Sequence, residues 1–86
     1  MNKKATYPKQ SITKIEMRER LAETLSNKIH EKNLTYRKLH ERTGISVDTI
    51  KGYVCAERES TPSLFNLYKI AIALNTTIDA LIAESL

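Results

Sequence analysis

The chain has little of what most functional classes require. Its 86 residues include one cysteine, Cys55, so no internal disulfide can form and a reducing compartment is the simpler setting. No apolar run approaches the roughly 20 residues that cross a bilayer. The basic start of the chain is not followed by an apolar stretch, which excludes a secretory signal. These absences predict a cytoplasmic protein with no membrane partner. No paired carboxylates, nucleophile–base set, phosphate loop or metal-ligand spacing stands out, so the expectation is no enzyme, no cofactor and no small-molecule ligand. His30 and His40 with one distant cysteine do not make a metal site. There is no strand pattern, internal repeat or low-complexity segment.

What the chain has is helical periodicity and uneven charge. Hydrophobic residues make up 41% of it, enough for one domain with a modest core. The net charge is +4. Residues 1–14 carry Lys3, Lys4, Lys9 and Lys14 and no acid, and residues 35–58 are again positive. Residues 59–86 set Lys69 against Glu59, Asp79 and Glu84 and are negative. A positive start and a positive middle suit a polyanion, although a merely solvated surface has the same signature.

Residues 1–12 show no periodicity and read as a flexible basic arm, ahead of a folded domain over 13–86. Fully extended, such an arm spans roughly 40 Å, long enough to follow a groove. Thr13 and Glu16 form a capping box that starts the first helix, whose buried stripe is Met17, Leu21, Leu25 and Ile29. Asn33 can end it in the left-handed conformation. Thr35 caps a short second helix over Tyr36 to Thr43. Gly44 then ends it, and Ser46 caps a third helix from Val47 to about Val54, with Asp48 at the positive end of its dipole.

Residues Ala56 to Thr61 read as a loop. Thr61 followed by Pro62 predicts the start of a fourth helix, with Leu64, Leu67, Ile70, Ala71 and Leu74 on its core face. Asn75 terminates it, and Thr77 caps a fifth helix with Ile78, Leu81 and Ile82 as apolar anchors.

Two helices joined within three residues at Gly44 make a corner. The spacing of Leu39, Gly44, Ile45, Ile50 and Tyr53 is that of a helix-turn-helix. The inward residues leave Val47, Asp48, Thr49, Lys51 and Gly52 facing out, where a major groove is wide enough to receive a helix. A plain helical hairpin shares the spacing.

This corner, followed by "TPSLFNLYKIAIALNTTIDALI", resembles the lambdoid phage repressor and Cro family of helix-turn-helix DNA-binding domains. The resemblance runs from Leu21 to Ile82. Its most specific part is Pro62, Ser63, Leu64, Leu67, Ile70, Ala71, Leu74, Thr77, Asp79 and Leu81. It implies an all-α, compact five-helix domain with the helix-turn-helix at helices 2 and 3. It also implies a transcriptional regulator, of the repressor kind, acting on a near-palindromic double-stranded DNA operator.

By position, the resemblance puts Ser46, Val47, Asp48, Thr49 and Lys51 against bases. It puts Thr35, Tyr36, Arg37, Gly52, Cys55 and Arg58 against the DNA backbone. Lys3, Lys4 and Lys9 would act from the arm. Phe65, Tyr68, Ile72, Ile82 and Leu86 form an apolar surplus suited to a homodimer, as the family often pairs through its C-terminal helices. With the chain ending after helix 5, regulation is expected through occupancy, concentration or another protein.

The sequence departs from the family pattern in several places. Tyr36 replaces a usual glutamine and bulky His40 a small residue. Ile29 and Val54 stand where many members bury an arginine–glutamate pair. Losing both charges together can be neutral or stabilising, so Ile29 and Val54 are expected to touch in the core. The loop after helix 3 is about two residues longer than is usual for the family, which weakens the case for phosphate contacts there. An alternative reading is a protein-interaction module or an antitoxin on the same fold, because Val47, Asp48 and Gly52 replace the side chains that read bases best.

Overall fold

The computed structural model describes residues 12–55, 57–58 and 60–86. The predicted arm, with Lys3, Lys4 and Lys9, falls almost wholly outside them. The described residues form five α-helices and no strand: α1 (Lys14–Glu31), α2 (Tyr36–Thr43), α3 (Val47–Val54), α4 (Leu64–Ala73) and α5 (Ile78–Glu84). α1 packs on α3 and α5, α2 on α3 and α4, and α4 on α5.

Local capping sets most of these boundaries. Thr13 Oγ1 accepts from the Glu16 N–H at 3.1 Å, and Glu16 Oε1 accepts from the Thr13 N–H at 3.0 Å, closing the capping box. The Thr13 backbone N–H, and then its hydroxyl, hold the Glu16 carboxyl below its ordinary pKa. Asn33 (φ 57°) and Asn75 (φ 56°) both take the left-handed conformation. In each case the following N–H reaches back five residues: Leu34 to the Ile29 carbonyl at 3.0 Å, and Thr76 to the Ala71 carbonyl at 2.9 Å. These are Schellman closures, and they satisfy carbonyls that a helix end would otherwise leave open.

The core is one cluster: Leu21, Leu25 and Ile29 of α1, Leu39 of α2, Ile45, Ile50 and Tyr53 at the corner and α3, Leu67, Ile70, Ala71 and Leu74 of α4, and Leu81 of α5. Val54 is half-buried against it, so neither it nor buried Ile29 is left to solvent where a charge pair was replaced. The end of the chain is tied in by Ser85, whose hydroxyl donates to the Leu81 carbonyl at 2.7 Å and lies 2.9 Å from the Thr24 hydroxyl. Lys28 of α1 adds ion pairs to Glu84 at 3.2 Å and Glu31 at 3.5 Å. Glu84 first, then the Glu31 charge, raise its ammonium above the usual lysine value against the opposing effect of burial.

Four expectations need correction. Met17 is exposed at 36%, and the fully buried stripe of α1 begins at Leu21. The cap of α4 is Ser63, whose Oγ accepts from the Asn66 N–H at 3.1 Å, so Thr61 and Pro62 lie before the helix. Starting there puts Leu64 at the first helical position, beyond the edge of the core and 74% exposed. The buried stripe of α4 is therefore Leu67, Ile70, Ala71 and Leu74. Of the α5 anchors, Leu81 is fully buried, Ile78 is packed against the core and Ile82 is exposed.

Candidate nucleic-acid interface

The corner between α2 and α3 is closed by a short chain of hydrogen bonds. The Gly44 N–H donates to the His40 carbonyl at 2.7 Å, and Gly44 itself has φ 78°, a conformation that favours glycine. Buried Thr43 donates its hydroxyl to the Leu39 carbonyl at 2.8 Å and accepts from the Ile45 N–H at 3.1 Å. The His40 ring turns sideways over the corner and is itself exposed. Its Nδ1–H donates to the Ile45 carbonyl at 2.8 Å, so the bulk that the family pattern disfavours adds a tie between the two helices. Ile45 then plugs the core at 5% exposure.

α3 is held from behind as well. Ile50 and Tyr53 are buried, and the Tyr53 hydroxyl accepts from Asn66 Nδ2 of α4 at 2.8 Å. Arg42 at the end of α2 donates from Nη1 to the Ala73 carbonyl at 3.1 Å, placing a cation at the C-terminal end of α4. The helix pair is thereby pinned to α4 at both ends.

The other face of α3 is open at its start. Ser46 caps the helix: its Oγ accepts from the Thr49 N–H at 3.1 Å and donates to Thr49 Oγ1 at 2.8 Å, which leaves the Thr49 O–H able to donate. Ser46, Asp48 and Lys51 are exposed, and Val47 and Thr49 are half-buried. These five expected base-reading residues share the first turns of one helix. Thr35, the cap of α2, takes the Lys38 N–H at 3.0 Å, and the Tyr36 and Arg37 amides lie at the positive end of that helix. Arg37 is exposed, whereas Tyr36 is half-buried against the core. Cys55 is half-buried at the end of α3 with a free thiol.

Gly52 is a correction. The spacing predicts it facing out, and the family resemblance puts it against the DNA backbone, but it is buried. A Cβ there would stand 3.2 Å from Ser60 Oγ and 3.3 Å from Ser60 Cβ, with Arg58 Cδ at 3.7 Å. The α3–α4 connection folds over this glycine and closes it to a phosphate.

The same connection carries Arg58 back to the helix. Arg58 Nη1 lies 3.5 Å from Asp48 Oδ1 and 3.5 Å from the Asp48 carbonyl. No sequence signal marks this pairing, which spans ten positions along the chain. The Asn66–Tyr53 and Arg42–Ala73 ties are also invisible in the sequence, since each joins residues from different helices.

On α4 and at the end of the chain, Phe65, Tyr68, Ile72, Ile82 and Leu86 are all exposed, as is Leu64. Tyr68 and Ile72 line a shallow apolar groove of about 390 Å³ with Ile78. Lys69 Nζ lies 4.7 Å from the Phe65 ring centre. Ile82 and Leu86 are exposed without lining the groove.

A family model for the Cro/C1-type HTH DNA-binding domain matches residues 24–83. No curated protein matches the chain. The matched span starts within α1 and ends within α5, so it contains the corner, the open face of α3 and the helices that brace them. It covers well over half of the chain, and the protein accordingly belongs to the Cro/C1-type helix-turn-helix family of DNA-binding domains.

Proposed function

We propose that the protein is a sequence-specific transcriptional repressor that binds a near-palindromic DNA operator as a homodimer. The observation that carries this reading is the open first turn of α3, displayed on a corner whose polar groups are internally satisfied. A recognition helix must be rigid, because base discrimination depends on hydrogen-bond geometry. Thr49 can donate to a base or touch a thymine methyl, Val47 offers apolar contact, and Lys51 reaches guanine or phosphate. The Tyr36 and Arg37 amides with the Arg37 side chain suit a phosphate at the start of α2.

The exposed Phe65, Tyr68 and Ile72 support pairing of two copies. A two-fold dimer places two recognition helices about one DNA turn apart, which is the geometry a near-palindromic site requires. Repression then follows from occupancy of the operator. Selection of binders from random duplex DNA at moderate salt tests the reading. Two related half-sites are the expected outcome. Weak binding with no motif and a steep salt dependence would reject sequence specificity. Sedimentation showing only monomer at high concentration, with and without the selected DNA, would reject the dimer.

A further inference from the structure

We infer that Arg58, delivered by the α3–α4 connection, is a base-reading residue oriented by Asp48, and that Gly52 is the opening through which it is delivered. The inference rests on the DNA-binding reading above and names a specificity determinant within it. Asp48 and Gly52 are one helical turn apart on α3 and so share a face. Gly52 contributes no side chain to that face. The space is taken instead by the returning connection: Ser60 lies over the glycine, and Arg58 Cδ comes within 3.7 Å of where a Cβ would be. A turn that closes with the Arg58 N–H donating to the Cys55 carbonyl at 3.1 Å sends the chain back this way. Arg58 thus lies along the row of α3 that a longer residue at position 52 would have occupied.

The charges agree with this placement. A bare carboxylate at the front of a recognition helix is repelled by phosphates. Asp48 is instead met by the Arg58 guanidinium, with Nη1 3.5 Å from both its Oδ1 and its carbonyl oxygen. Nη1 alone makes both contacts. A guanidinium has five N–H donors in a planar fork, so another edge can donate to guanine O6 and N7 together. Both side chains are solvent-exposed, at 49% for Arg58 and 87% for Asp48, so the pair is accessible to a duplex. Asp48 keeps acceptor capacity for the N4 amine of a cytosine beside that guanine. A phosphate contact would need no such partner, and holding the guanidinium against a carboxylate on α3 turns it toward base edges.

The test is to select random duplex DNA with the wild type, Arg58→Ala, Asp48→Asn, the Arg58→Ala/Asp48→Asn double variant and Gly52→Ala, with helix content checked by circular dichroism. The wild type is expected to enrich guanine at one position of each half-site. Arg58→Ala should lose preference at that position alone and bind the wild-type site roughly 5- to 150-fold more weakly. Asp48→Asn should relax the same position, less than additively with Arg58→Ala. Gly52→Ala should relax it too, because the new Cβ, 3.2 Å from Ser60 Oγ, crowds Ser60 and so shifts the connection that carries Arg58. A wild-type motif that Arg58→Ala leaves intact, with affinity falling equally for every sequence, makes Arg58 a phosphate contact and overturns the inference. Fully additive effects of Asp48→Asn and Arg58→Ala would overturn the coupling. A wild type that selects no motif removes the DNA-reading function itself, a different failure from either of these.

Discussion

Replacing Thr43 by valine isolates the clamp at the corner from the core around it. The two side chains are close in shape, so the change removes a hydroxyl and little else. The Leu39 carbonyl still accepts from its own helix. The Ile45 N–H, which donates to Thr43 Oγ1 at 3.1 Å, is left without that acceptor in a buried setting. Such an orphan costs about 1–3 kcal/mol. The extra methyl offsets up to about 0.8 kcal/mol. The net loss is about 0.2–2 kcal/mol, a lowering of the melting temperature by roughly 1–16 °C in a domain of this size. Urea unfolding gives the free energy, and amide exchange resolves its location. The Ile45 amide should exchange faster in Thr43→Val while core amides of α4 follow global stability. Thr43→Ser keeps the hydroxyl and should leave the Ile45 amide protected despite losing a methyl. A Thr43→Val protein whose Ile45 amide stays as protected as in wild type, with stability unchanged or raised, would refute this account of the corner.

Two further outcomes follow from the geometry. Gly44→Ala meets no atom within 4 Å, so its cost is the backbone strain at φ 78° alone, about 1–2 kcal/mol by thermal unfolding. A neutral result there would show that the turn relaxes out of the left-handed conformation. The two shifted groups predict opposite pH limits. Lys28 has a raised pKa, so its pairing with Glu84 stabilises the fold below about 10.4 and is lost as pH rises through the folded value. The stability gap between wild type and Lys28→Met should therefore close at high pH. Glu16 has a lowered pKa, so its cap stabilises α1 above about 4.3 and is lost as pH falls through the folded value. The gap between wild type and Glu16→Gln should close in acid, and a gap constant across either range contradicts the assignment.

Much of this protein was readable from local sequence. The caps at Thr13, Thr35, Ser46 and Thr77, and the left-handed Asn33, Gly44 and Asn75, each depend on residues a few positions apart. A hydroxyl reaching the amide three residues on, or a residue able to hold positive φ, acts whatever the rest of the chain does. That is why the bounds of α2 and α3 agree with their predicted ones. The core stripe of α4 was legible too, since apolar residues three and four apart must face one way.

What the tertiary structure alone decided concerns where neighbours stop and where the chain comes back. Met17 and Leu64 belong by period to buried stripes, yet both lie exposed in the first turn of their helices. Periodicity gives a direction around a helix but not the extent of its partner. Gly52 has an outward period and is buried, because the α3–α4 connection folds over it. Asp48 looked like an isolated acid at the front of α3, and the same fold-back gives it Arg58. Such pairings depend on the path of an intervening loop, which no fixed spacing encodes. The sequence by itself therefore determined the helices, the caps of all but α4, and the corner. The packing decided which side chains that corner presents.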